Sequence, residues 1–190
     1  MKVPALAYFV VTARASVVDN LFARQTTTPS NEGYLDSVCS PNVTDTSGTL
    51  PPCISVINIQ GRCAPNSTNS LGYEAMAQCL CNAPSTFFAD WLGCRQCLEF
   101  HGGLTGQDLA RYSVVIASAS DAICTGTPTA QFADYFTSID VAVAISYSGT
   151  ATVTTDQAPS DTAVSLYYTA SGPQGPGVIT GLLCPLQNRE

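Results

Sequence analysis

Apolar residues recur at helical spacing in several segments between Pro51 and Val143. In LPPCISVINIQGRC, Pro51 and Pro52 stand where a helix tolerates proline, at its start, and Cys53, Ile54 and Ile57 follow on neighbouring turns. SLGYEAMAQCL places Tyr73, Met76 and Leu80 at i, i+3 and i+7. After the break at Pro84, Phe87, Trp91, Cys94 and Leu98 recur at i, i+4, i+7 and i+11, and Gly102-Gly103 supplies a stop. TGQDLARYSVVIASASDAIC opens with Thr105 and Asp108 near capping-box spacing and sets Leu109, Tyr112, Ile116 and Ile123 on one side. A last stripe beyond Pro128 runs through Phe132, Phe136, Ile139 and Val143.

The flanks read differently. Residues 25–48 are polar and rich in turn formers, which predicts an irregular arm tied down at Cys39. From Ser146 the chain becomes poor in charge and rich in Thr, Ser, Gly and Pro. Its stretches VSLYY and GVITGLLC have strand propensity, so a small β-hairpin on the helices and a flexible, stalk-like tail are both open. The predicted fold class is mainly α: a disulfide-stapled bundle of roughly four to five short helices with this tail appended. The expected organisation is a signal peptide over 1–15, a propeptide over 16–24 ending at Arg24, the arm over 25–48, a cysteine-rich helical domain over 49–145 and the tail over 146–190.

The signal peptide rests on Lys2, the apolar run Val3 to Ala13 and the small-x-small triplet Ala13-Arg14-Ala15. That run falls short of the ~20 apolar residues a membrane span needs, and the closing CPLQNRE lacks the hydrophobic tail of a lipid-anchor signal. In an oxidising compartment the nine cysteines predict disulfides. Cys39, Cys53, Cys63, Cys79, Cys81, Cys94, Cys97 and Cys124 suit four bridges in one unit; Cys184 is left over, with a Cys39–Cys184 pair as the alternative. Spacing alone does not choose among the ~100 pairings of eight cysteines. Asn42-Val43-Thr44 and Asn66-Ser67-Thr68 are N-glycosylation sequons in turn-rich segments. With seven Lys and Arg against fourteen Asp and Glu, and Lys2 the only lysine, nucleic acid and anionic lipid are poor partners.

The densest chemistry lies in AQCLCNAPSTFFADWLGCRQCLEFHGG, Ala77 to Gly103, which carries four cysteines, the only tryptophan and the only histidine. Cys94-Arg95-Gln96-Cys97 matches C-x-x-C, but it lies well inside a helical pattern instead of opening a helix, so two structural half-cystines are expected. Cys79 and Cys81 point in divergent directions and are expected to staple the segment to two different partners. A Cys3His zinc site from Cys94, Cys97 and His101 with Cys79 or Cys81 would need thiolates that an oxidising compartment converts to disulfides, and no metal site is assigned. His101 is expected to cap the last carbonyls of its helix. No G-x-S-x-G elbow accompanies the histidine, so no catalytic residue is assigned to it. Asp90, Glu99, Asp108, Asp121 and Asp134 could supply a carboxylate pair for sugar hydrolysis, but along amphipathic helices they read as the solvated face.

PPCISVINIQGRC, CLC, WLGCRQCLEFHGG and AICTGTPTAQFADYF together resemble a diffuse group of small secreted cysteine-rich proteins of filamentous ascomycete fungi, over about residues 50 to 140. That resemblance implies the wall or exterior and no activity. A second similarity is to the CFEM domain, an eight-cysteine fungal module some of whose members bind haem: Cys79, Cys81 and Cys94 match its C-x-C then C order, and Pro52-Cys53 its proline-cysteine start. The haem-binding members place an Asp shortly before C-x-C, whereas this chain has only Glu74 between Cys63 and Cys79. The expected function is a non-catalytic, disulfide-rich protein of the fungal wall or extracellular space, without a cofactor, with wall polysaccharide or an extracellular protein as partner. The alternatives are a CFEM-like module for haem or another small ligand, and a secreted hydrolase.

Overall fold

A computed structural model of the chain describes residues 32–43, 48–148, 151–153 and 155–180. Six helices lie among them: α1 (Glu32–Cys39), α2 (Pro52–Arg62), α3 (Ser70–Cys81), α4 (Phe87–Phe100), α5 (Gly106–Cys124) and α6 (Phe132–Ala144). No strand forms among the described residues. The signal peptide, the propeptide and Cys184 fall outside them.

The helix boundaries follow from local chemistry. Pro52 takes the first position of α2, where a missing N–H costs no intrahelical bond. Asn69 caps α3 by accepting from Gly72 N at 2.9 Å. Position 72 must be glycine, because a Cβ there would collide with the Ser67 carbonyl. At the end of α4, Gly103 N donates to Leu98 O and Gly102 N to Glu99 O, with Gly102 at φ 71°, which is a Schellman stop. Thr105 and Asp108 form the full capping box of α5.

The predicted stripes feed a main core, and Cys53 and Cys94 join a second cluster with Val38, Cys39 and Cys97. Val56, Ile59, Met76, Leu80, Phe87, Trp91, Tyr112, Val115, Ile116, Ile123, Phe132 and Phe136 are buried in a single cluster. Helix α5 lies against α6, α4 and α3, while α2 packs along α4. One stripe is rotated from its expected position: Val56 and Ile59 carry the inner face of α2, and Ile57 stays 38% exposed.

Four disulfides staple the helices. Cys39–Cys97 joins α1 to α4, Cys53–Cys94 joins α2 to α4, Cys63–Cys79 closes the corner between α2 and α3, and Cys81–Cys124 joins α3 to α5. The alternative Cys39–Cys184 pair is therefore excluded. Each bridge closes a loop of 16 to 58 residues, for which restriction of the unfolded chain contributes about 3 to 4 kcal/mol.

Two flanking expectations are corrected. The arm is not irregular throughout, because Leu35, Val38 and Cys39 bury one face of the two-turn helix α1. The tail forms no hairpin among its described residues. VSLYY contributes a 3-10 turn over Val164–Leu166, and the segment from 155 to 180 runs as a strap across the bundle. Gln157 N donates to Phe100 O at 3.1 Å, Thr86 N to Gly175 O at 3.1 Å and Gly177 N to Cys79 O at 2.7 Å. Asn82 Nδ2 donates to Val178 O at 2.8 Å, and Thr180 N to Gln78 Oε1 at 2.6 Å. Backbone polar groups that another strand would have satisfied are satisfied by helix ends and side chains.

Candidate functional site

All four cysteines of Ala77–Gly103 are half-cystines. Cys94 and Cys97, one turn apart on α4, bridge to α2 and α1, while Cys79 and Cys81 bridge to Cys63 and Cys124. The C-x-x-C pair and the C-x-C pair thus each serve two partners, as their spacing predicts. Among the described residues no three His, Cys, Asp or Glu side chains converge on a metal-sized site.

The carboxylates do not all lie on the wet face. Asp121 and Asp134 are exposed, Glu99 is half-buried and Asp108 serves the capping box, but Asp90 is fully buried. Its Oδ2 accepts from Ser55 Oγ at 2.6 Å and Thr86 Oγ1 at 2.7 Å. Its Oδ1 accepts from Gln174 Nε2 at 3.0 Å and from the Tyr168 hydroxyl. Four neutral donors, two from the bundle and two from the strap, therefore close around one carboxylate. The Tyr168 ring lies where a side chain at Gly93 would stand, which is why that turn of α4 carries no Cβ. Burial, then the bond to Asp90, pushes the Tyr168 phenol well above its ordinary range.

A second polar cluster replaces the expected helix cap at His101. The imidazole is 1% exposed, and its Nδ1 lies 3.1 Å from Asp156 Oδ1 in the strap instead of over the last carbonyls of α4. The Tyr34 hydroxyl of α1 donates to Asp156 Oδ2 and accepts from Ser160 N at 3.0 Å, while Ala158 N donates to Asp156 Oδ1 at 3.0 Å. The rings of Phe100, Tyr34 and Tyr167 surround the imidazole edge-on. Burial pushes the Asp156 carboxyl up, but the bonds from Tyr34, Ala158 and His101 outweigh it and hold it below the ordinary carboxylate value. Burial and the Asp156 contact raise the Tyr34 phenol, and burial pushes Tyr167 up to about 12. An imidazole paired to a carboxylate has the outline of a general base. Here, however, its far nitrogen Nε2 is buried and has no hydrogen-bonding partner among the described residues.

The core also holds a cation. Arg95 is 2% exposed, with its guanidinium carbon 4.6 Å from the Trp91 ring centre and 4.5 Å from that of Tyr112. Burial lowers it to about 10, so it remains charged at neutral pH in a sandwich that favours a flat cation. Arg111 Nε pairs with Asp140 Oδ1 at 3.2 Å beside it. Asn42 and Asn66, the sequon asparagines, are both exposed.

Sequence reasoning missed Asp156 and its partners, and misplaced Asp90. The signal for Asp90 was present: three residues after Phe87 and four before Cys94, it occupies a position of the apolar stripe itself. No signal pointed to Tyr168 and Gln174, which lie 78 and 84 residues away.

No protein family's profile matches this chain, and neither a curated protein nor a solved structure is found to match it.

Proposed function

We propose that this chain is a non-catalytic, disulfide-stapled protein of the fungal wall or extracellular space. The observation that carries the reading is the use made of its most reactive groups. Asp90 and His101, the side chains best suited to acid–base work, are buried and saturated or enclosed by contacts that bind the strap to the helices. Four internal bridges suit an oxidising compartment, and among the described residues no helix is long and apolar enough to cross a membrane. The acidic balance and the two exposed sequons suit an extracellular surface, with wall polysaccharide or an extracellular protein as the partner.

The test is intact mass of the protein recovered from culture medium and wall extract, before and after denaturing reduction. The expected gain is about 8 Da, two hydrogens for each of the four bridges. Alkylation of Cys79, Cys81, Cys94 or Cys97 without reductant overturns the scaffold reading. Hydrolysis of soluble β-glucan, chitin oligomers or casein above that of boiled protein overturns the non-catalytic reading.

A further inference from the structure

The four bridges all lie between Cys39 and Cys124, and the strap over 155–180 contains no cysteine. The bundle is therefore closed on itself covalently, whereas the strap is seated by hydrogen bonds and packing alone. Its seat reads a short extended sequence, Gln174-Gly175-Pro176-Gly177. The Gln174 side chain donates to Asp90 Oδ1 at 3.0 Å and accepts from Leu50 N at 2.7 Å. Gly175 N donates to Thr86 Oγ1 and Gly175 O accepts from Thr86 N, both at 3.1 Å. Gly177 N donates to Cys79 O, and a Cβ at Gly177 would lie 2.2 Å from Asn82 O, so this end of the seat admits only glycine. The tether is long: Gln107 Nε2 holds Tyr147 O at 2.8 Å, and the next bonds to the helices are those of Asp156 and Gln157. Residues 148–155 between them can span up to about 28 Å when extended.

We propose that the partner for this groove is the strap of a second copy of the chain, and that two copies exchange residues 155–180 to form a reciprocal dimer. The groove is complementary to a segment that every copy carries, and each bond of the seat is the same whether the strap comes from its own chain or from another. Exchange of an identical element is a low-cost route to a dimer for that reason. Each chain gives one strap and receives one, so the assembly closes at two copies. What favours the monomer is only the tether, which supplies an effective strap concentration on the order of 1 mM for a short connection. Exchange therefore needs release of the strap at high protein concentration, and the stapled bundle stays folded while it occurs.

Two oxidised full-length variants each break one half of the seat. Asp90→Ala removes the groove's acceptor and keeps the native strap, whereas Tyr168→Phe with Gln174→Leu removes the strap's two donors and keeps the native groove. Alone, each is expected to stay monomeric by light scattering at about 1 mM, with the Gly175 and Gly177 amides exchanging at least about tenfold faster than in the native chain. Mixed in equal amounts, they are expected to form a two-chain species in which one strap and one groove are both native. Protection of Gly175 and Gly177 then returns in isotope-labelled Asp90→Ala and not in the labelled double variant. A mixture that stays monomeric, or that lacks this one-sided return, overturns the proposal. The native chain supplies a check that does not depend on how either variant folds. Held at about 1 mM in urea too dilute to unfold the helices and then returned to buffer, it is expected to yield a dimer on a sizing column. A native chain that remains monomeric overturns the proposal, as does a dimer that Asp90→Ala forms equally well on its own.

Discussion

Asp90 shows how one side chain can couple two parts of a chain that share no secondary structure. A carboxylate offers about four lone-pair directions, and Ser55, Thr86, Tyr168 and Gln174 fill them with neutral donors. Truncation leaves four donors without their acceptor, two of them, on Ser55 and Thr86, in buried residues. The expected loss for Asp90→Ala is therefore about 3 kcal/mol or more, read by urea unfolding of the oxidised protein. Asp90→Asn keeps one acceptor oxygen but turns its other end into a donor facing donors, so it is expected to lose about half as much. A loss below about 0.5 kcal/mol for the alanine variant, as for an ordinary surface change, would show that Asp90 does not hold the strap. Gly93 belongs to the same device, because it lets the Tyr168 ring reach the carboxylate across α4.

At the scale of elements, the strap is held at the Asp90 and Asp156 clusters. Its first latch is Asp156, whose carboxyl lies below its ordinary value in the folded protein. A depressed folded value means that the latch stabilises the fold above the unfolded carboxyl value of about 4, and that this contribution fades as pH falls through the folded value. Near-UV dichroism from Tyr34 and Tyr167, both packed on His101, is expected to weaken below about pH 4 while the far-UV helix signal persists. Asp156→Asn is expected to show the weakened signal already at pH 7, with no further acid transition of its own. Coincident loss of the two signals in the native chain would contradict a separable strap.

The helices were legible in the sequence because a helix face is written within four residues, and the stripes through Phe87–Leu98 and Phe132–Val143 state their own period. The strap was not, because its bonds run from irregular backbone to Phe100, Thr86 and Cys79, and irregular backbone has no period to read. Helix α1 escaped for a related reason. Its Leu35, Val38 and Cys39 give i, i+3, i+4 only once, too short a signal against a turn-rich surround. Likewise the divergence of Cys79 and Cys81 was readable, whereas their partners Cys63 and Cys124 are set by the packing of three helices.

For the whole molecule the four bridges differ chiefly in access. Cys39, Cys97, Cys53, Cys94, Cys63 and Cys79 are each at most 4% exposed, whereas Cys124 is exposed and Cys81 half-buried. Thiol–disulfide exchange needs a thiolate to approach a sulfur in line, so access ranks the bridges for kinetic reduction. Limiting reductant at neutral pH, followed by alkylation and peptide mapping, is expected to label Cys81 and Cys124 first, with the other six appearing together on unfolding. The singly reduced species keeps α2, α4 and α1 stapled through Cys53–Cys94 and Cys39–Cys97, and so retains the Asp90 and His101 clusters. It also loses the restraint on a loop of 43 residues, which lowers unfolding free energy by about 3 to 4 kcal/mol. Its urea midpoint should fall accordingly, while its near-UV tyrosine signal at pH 7 stays intact. Early label at Cys39 or Cys97 would instead mean that α1 and the strap open together before the bundle does, making the strap, and not the exposed bridge, the first part of the molecule to yield.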